Sequence, residues 1–188
     1  MYVLGISGSP RIGGNTEILL DKALEGAKSK DARTEKIILN NLKMVPCQEC
    51  EKMPDDGTCK IEDDFQTVFE KTKQADALIL ASPIFFGSLA AQAKIMIDRW
   101  QCYWRYKYLA RPQSIVNSPQ RAGGMILVEA SKREDFFANA KSIAKNFFAT
   151  AGFLYKEEIF CPGLEKKRAV LKHKDYLQNA FELGRKLV

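Results

Sequence analysis

Five short apolar runs, each followed by a segment with helical spacing, constrain this chain more than any other feature. Met1–Ile6 is apolar and ends in small residues, Thr34–Leu39 is rich in isoleucine, and Ala75–Ala81 lacks polar alternation after Asp76. Gly124–Ala130 and Phe153–Cys161 complete the series. Between them, Leu19, Leu20, Ala23, Leu24 and Ala27 recur on one helix face beginning at Asn15. Phe65, Val68, Phe69 and Thr72 mark a short helix for which Asp63 or Asp64 is the cap. Leu89, Ala93, Met96, Ile97, Trp100 and Trp104 define a longer one, and Phe136 to Phe148 carries the clearest amphipathic pattern. Lys167–Leu187 reads as a closing helix. Strands without polar alternation are buried on both faces, so helices must cover both sides of a parallel sheet. The expected fold is α/β, a doubly wound five-stranded parallel sheet in the order 2-1-3-4-5. Its ligand then sits at the carboxyl ends of the strands, beside the topological switch. A loop containing Pro112 and Pro119 precedes the fourth strand. There is no repeat and no linker, so residues 1–188 read as one domain.

Charge and hydropathy narrow the partners. Net charge is +6, but the basic residues are scattered, which argues against a nucleic-acid partner. Even the densest run, Lys166-Lys167-Arg168, reads as a solvated helix face. A positive surface favours anionic small molecules. No apolar run approaches the ~18–20 residues that cross a bilayer, and the first residues lack the basic and long apolar regions of a signal peptide. A cytoplasmic location without membrane attachment is expected. Five cysteines in that compartment stay reduced. His173 is the only histidine and reads as solvent-exposed; Lys94 and Asp98 have the spacing of a surface ion pair.

The stretch from Gly5 to Thr16 follows the first strand and opens the first helix. A helix N-terminus presents unpaired N–H groups and the positive end of its dipole, which together attract an anion. Ser7, Ser9, Asn15 and Thr16 add side-chain donors, and Arg11 adds a positive charge. Neither G-x-x-x-x-G-K-[ST] nor G-x-G-x-x-G occurs there. A hydroxyl-rich loop instead suits a terminal phosphate monoester, which has more acceptor oxygens to satisfy than a bridging diester.

With Gly8-Ser9-Pro10-Arg11 and Gly14-Asn15-Thr16, the chain resembles the NAD(P)H-dependent FMN reductases and the related iron–sulfur flavoproteins, both flavodoxin-like. The likeness continues at Ser82-Pro83-Ile84-Phe85-Phe86-Gly87-Ser88, then at Ala91-Gln92-Ala93-Lys94 and Ile97-Asp98-Arg99. It covers most of the first hundred residues. The resemblance implies bound FMN, with Ser7, Ser9, Arg11, Asn15 and Thr16 around its phosphate. Pro83, Ile84, Phe85, Phe86 and Gly87 would lie beside its ring, and Ser131 after the fourth strand would supply a third contact. It further implies hydride transfer from NAD(P)H to a small acceptor such as a flavin, a quinone or a nitro compound. Hydride transfer needs no protein acid or base, so no catalytic residue is named. A non-enzymatic electron carrier is the alternative; such carriers are usually acidic, and the charge here is positive. Trp100, Tyr103, Trp104, Tyr106 and Tyr108 crowd one helix end, and the exposed ones suggest an interface. The resembled families form dimers or tetramers, so a homodimer or homotetramer is expected.

Cys47, Cys50 and Cys59 fall in one short stretch. The iron–sulfur flavoproteins carry a compact C-x2-C-x2-C-x4–7-C run that binds a [4Fe–4S] cluster. Here Met53 stands at the third position, and a thioether is a poor substitute for a thiolate. Structural thiols, a cluster completed by Cys102 or Cys161, zinc, and a thiol redox pair all stay open.

Overall fold

The computed structural model describes residues 1–52, 54–110 and 121–188. Met53 and the segment with Pro112 and Pro119 therefore lie outside the described residues. Strands β1 (Tyr2–Ser7), β2 (Arg33–Ile38), β3 (Ala77–Phe85), β4 (Ser88–Leu89), β5 (Arg121–Val128) and β6 (Phe153–Cys161) form one sheet. Its parallel members run β2-β1-β3-β5-β6, while β4 folds back antiparallel on the end of β3. Without that two-residue strand, the order is the expected 2-1-3-4-5.

Side-chain alternation along the strands divides the core into two layers. Leu4, Ile6, Leu78, Leu80, Met125 and Leu127 face one cluster, covered by α2 (Phe65–Gln74), α3 (Ala91–Arg99) and α5 (Glu134–Ala151). Val3, Ala77, Ile79, Ile126 and Val128 face the other, covered by α1 (Asn15–Lys28) and α6 (Lys174–Lys186). A short helix α4 (Gln101–Arg105) continues the line of α3. The central strands β1 and β3 have no solvated face, which is why their sequences read as apolar runs. The edge strands β2 and β6 carry Arg33, Glu35, Lys36, Lys156, Glu157 and Glu158, charges that discourage pairing with another sheet.

On the second face, α1 and α6 meet at two glycines. A Cβ on Gly26 would lie 1.9 Å from the Phe181 carbonyl oxygen, and one on Gly184 would lie 1.7 Å from that of Ala23. Only glycine permits this approach.

Several boundaries differ from the pattern. Strand β5 begins at Arg121, three residues before the expected Gly124, because the charged side chain has work inside the fold. Its Nη1 donates to the carbonyls of Thr72, Lys73 and Ala75 at 2.8–3.0 Å, and its Nη2 to that of Ala151 at 2.6 Å. One guanidinium thus closes the C-terminal ends of α2 and α5. Strand β3 runs four residues past Ala81, through Ser82 and Pro83, which pair with Leu127 and Val128. The expected Ser82–Ser88 loop is therefore strand plus a two-residue turn. The closing helix is broken: a 3-10 turn (Ala169–Lys172) precedes α6, and His173 lies between them. His173 is half-buried rather than exposed, with its ring stacked on Tyr176 at 5.1 Å. Lys94 and Asp98 do pair at 2.8 Å on the surface. At the start of α2 the two aspartates split the capping role. Asp64 holds the N-cap position without a side-chain cap bond, while Asp63 Oδ1 accepts the Phe65 N–H at 3.0 Å.

Candidate flavin pocket and cysteine cleft

At the carboxyl edge of the sheet one pocket gathers four loops. The first contributes Ser9, Arg11, Asn15 and Thr16; the segment after Ala81 contributes Pro83, Ile84 and Phe85. Val128 and Ala130 come from the end of β5, and Leu164, Glu165 and Lys167 from the segment after β6.

The first loop leaves β1 at Ser7 and is tied to β3 by the Gly8 N–H on the Ala81 carbonyl, 2.8 Å. Helix α1 then starts after Gly14, which has no side chain to cap it. The first amides of α1 have no intrahelical acceptor by construction, so they face the pocket end with the dipole behind them. The Ser9 hydroxyl oxygen accepts the Arg11 N–H at 3.1 Å, which leaves its own proton to donate outward. Glu17, in the first turn of the helix, is not part of the pocket lining. Burial raises its carboxyl pKa, but hydrogen bonds from Lys36 and the Gly13 N–H outweigh that and hold it below the usual value.

Asn15 holds a different position from the one expected of a phosphate donor. Its Nδ2 donates to the carbonyls of Leu164 (3.2 Å) and Lys166 (2.9 Å), and its Oδ1 accepts the Val170 N–H at 3.1 Å. The amide is fully engaged in fastening the 164–170 segment beside the first loop. Arg11 makes a second tie, from Nη1 to the Glu165 carbonyl at 2.8 Å. These bonds bring Lys167 to the pocket wall. The pattern assigned Lys167 to a solvated helix face, and no site residue was expected from this segment. The signal available in the sequence was position: any segment that leaves the carboxyl end of a parallel strand emerges on the ligand side.

Four expected residues stand outside the lining. Ser7 is 1% exposed, and its Oγ has no hydrogen-bond partner among the described residues. Phe86 and Gly87 form the turn between β3 and β4 with φ of 51° and 73°, and Phe86 is fully exposed at its tip. Ser131 lies past the lining residue Ala130 and gives its hydroxyl to the buried Glu129 carboxylate.

The donor set matches FMN. Ser9, Thr16, Arg11 and Lys167 line this pocket together with the start of α1, a set of hydroxyls, amides and charges that suits a phosphate monoester. Pro83, Ile84, Phe85, Val128 and Ala130 offer an apolar wall for a ring.

A second cleft, between α3, α4 and the Asn40–Lys60 region, is lined by Cys47, Cys50, Cys59 and Cys102 with Arg99. Arg99 is 1% exposed and organises it. Nη1 donates to the Val45 carbonyl (2.9 Å) and to Asp63 (2.7 Å), Nη2 to the Ile61 carbonyl (3.0 Å) and Nε to Cys59 Sγ (3.2 Å). Burial disfavours the arginine charge, yet Asp63 and Cys59 hold its pKa above the ordinary value. Burial, with the nearby Cys59, pushes the Cys102 thiol up to about 12. Cys161 is buried on the opposite face of the sheet, away from this cleft. The residues do not fit a [4Fe–4S] cluster. Such a cluster is held by Cys thiolates, position 53 is methionine, and among the described residues no three Cys, His, Asp or Glu side chains are gathered as a metal site.

The family profile described as NADPH-dependent FMN reductase matches residues 1–153. An iron–sulfur flavoprotein of Methanocaldococcus jannaschii is 38% identical over 133 residues, which is 70% of this chain and 64% of that protein. Another, from Methanosarcina thermophila, is 39% identical over 99 residues, 53% of this chain and 52% of that protein. The matches thus span less than two thirds of those relatives. Among solved structures, one titled flavone reductase superposes with a TM-score of 0.78 at 20% identity, covering 100% of this chain and 62% of the other. That likeness concerns the fold.

Proposed function

The chain belongs to the family of NADPH-dependent FMN reductases, and on that premise we propose that it binds FMN in the four-loop pocket and reduces a small acceptor with electrons from NAD(P)H. When bound, FMN supplies the two-electron redox chemistry, accepting hydride and passing its electrons on. The protein's part is binding, orientation and exclusion of water. Ser9, Thr16 and the α1 amides hold the phosphate, with Arg11 and Lys167 neutralising its charge. Asn15 keeps the 164–170 segment closed on that end. Pro83, Ile84 and Phe85 give the ring a dry wall, and their position at the strand end fixes its direction relative to the phosphate. The observation that carries this reading is the convergence of those cations and hydroxyls with an apolar wall in one pocket.

The acceptor is a flavin, a quinone or a nitro compound, a planar molecule able to lie on an open ring face. The partly exposed Phe85 and the exposed Phe86 border that approach. Trp104, Tyr108 and Leu109 remain 38%, 38% and 65% exposed on one helix end, which supports assembly as a homodimer or homotetramer. No described helix is long and apolar enough to cross a membrane, consistent with action in the cytoplasm. The alternative of an electron carrier relaying through a cluster lacks the thiolate at position 53, and the net charge of +6 does not suit docking on a basic partner.

The test is anaerobic reduction. The purified protein should show flavin absorption that NAD(P)H bleaches within a catalytic turnover time and that a quinone restores. Bleaching only by a protein reductant would favour the carrier.

A further inference from the structure

The mismatch between the cysteine cleft and a cluster leaves a group of sulfurs that the flavin chemistry does not use. Three of them, Cys47, Cys50 and Cys59, are half-buried and reach solvent, whereas Cys102 behind them is buried. All four line one cleft. The two halves of the cysteine segment are pinned to the same buried guanidinium. Val45 holds the side carrying Cys47 and Cys50, and Ile61 and Asp63 hold the side carrying Cys59. A third anchor, the Gln66 side chain, binds the Cys59 carbonyl at 3.0 Å. Arg99 also donates its Nε–H to Cys59 Sγ, and a cationic donor of this kind favours attack by sulfur.

We propose that this cleft is a thiol–disulfide exchange site: Cys59 attacks a small-molecule disulfide, and Cys47 or Cys50 resolves the product. In the first step Cys59 Sγ gives up its proton and bonds to one sulfur of R–S–S–R. The S–S bond breaks, and one thiolate leaves and takes up a proton. In the second step the sulfur of Cys47 or Cys50, also deprotonated, attacks Cys59 Sγ and expels the second R–SH. The protein is oxidised by two electrons to an intramolecular disulfide, and the small disulfide is reduced to two thiols. The substrate class is a low-molecular-weight disulfide, which meets the half-buried Cys59 from solvent beside Gln48, Lys60 and Ile61. The site does not depend on the flavin reading.

The full chain, reduced and freed of reductant, is mixed with bis(2-hydroxyethyl) disulfide without air. Free thiols are counted after denaturation, and the linked peptides are identified by mass spectrometry. The protein should lose two of its five thiols, with Cys59 joined to Cys47 or Cys50. Cys59→Ser should slow the loss by about tenfold or more, because the sulfur paired with Arg99 is gone. Cys102→Ser should leave the rate unchanged, and an unaltered flavin spectrum and melting curve confirm that each variant is folded. Retention of all five thiols, or an equal rate in Cys59→Ser, would overturn the proposal. So would a stable iron–sulfur absorption after anaerobic reconstitution of the unmodified chain, since the cluster would then occupy these thiols.

Discussion

Arg99 and Asp63 form an ion pair of 2.7 Å in which the arginine side chain is fully buried and the carboxylate nearly so. The pair joins the end of α3 to the segment that precedes α2, and the arginine also lies over the Phe65 ring at 4.7 Å. Removing either partner leaves an uncompensated buried charge. Asp63→Asn is expected to cost about 3 kcal/mol, read as a lower midpoint in urea at pH 7. The pH dependence has a definite sign. Burial raises the Asp63 pKa, but the bonds from Arg99, Val45 and Phe65 outweigh it and hold the carboxyl below the usual aspartate range. Its stabilising contribution is complete above the unfolded value of about 3.9 and is lost as pH falls through the folded value. The acid limb of unfolding should therefore be shallower in Asp63→Asn than in the unmodified chain; parallel limbs would contradict this.

Asn15 should behave as a clamp. Asn15→Ala removes three hydrogen bonds to the 164–170 segment and leaves buried backbone groups without partners. A loss of about 1–3 kcal/mol in stability is expected. FMN affinity should fall as well, by titration, because Lys167 is no longer held at the pocket. Trypsin should cut after Lys166, Lys167 or Arg168 faster in the variant.

The phosphate end is open to direct measurement. Ser9→Ala combined with Thr16→Ala should weaken FMN binding at least about tenfold, the value of one or two hydrogen bonds to a charged group. Lys167→Ala should weaken it too and should reduce its salt dependence, since a screened charge–charge attraction is removed. Riboflavin, which lacks the phosphate, should bind the parent and these variants alike.

Phe86 sits at φ 51° in the β3–β4 turn, ahead of Gly87 at 73°. A two-residue hairpin turn with both φ values positive is best served by Asn-Gly, and a bulky residue there carries strain of about 1–2 kcal/mol. Phe86→Asn should raise the melting temperature. The same variant should raise KM for an aromatic acceptor, because the exposed ring beside the pocket is lost. A variant that melts higher with unchanged KM would make the ring dispensable.

The residues that announced themselves were those whose role is local. Apolar runs predicted the central strands β1, β3 and β5 because such strands must be apolar on both faces, and Ser9, Arg11 and Thr16 were legible as pocket-lining residues because they follow β1 at the carboxyl edge of the sheet. What stayed hidden depends on distant partners. Arg121 does not look like a strand residue until the ends of α2 and α5 are placed around it. Asn15 reads as a ligand donor until the 164–170 segment, about 150 residues away in sequence, is brought to it. Lys167 is hidden for the same reason. Cys102 stands more than forty residues after Cys59, and only the packing of α4 shows that the two share a cleft.

The central claim, that the four-loop pocket binds FMN and works with NAD(P)H, is tested most directly by one anaerobic stopped-flow experiment on the protein reconstituted with FMN. NADPH or NADH should bleach the bound flavin in a single fast phase, a stoichiometric amount of quinone should restore the spectrum, and the Ser9→Ala/Thr16→Ala variant should lose the signal through loss of flavin. A protein that takes up no FMN, or whose bound flavin neither nucleotide reduces, would contradict the account.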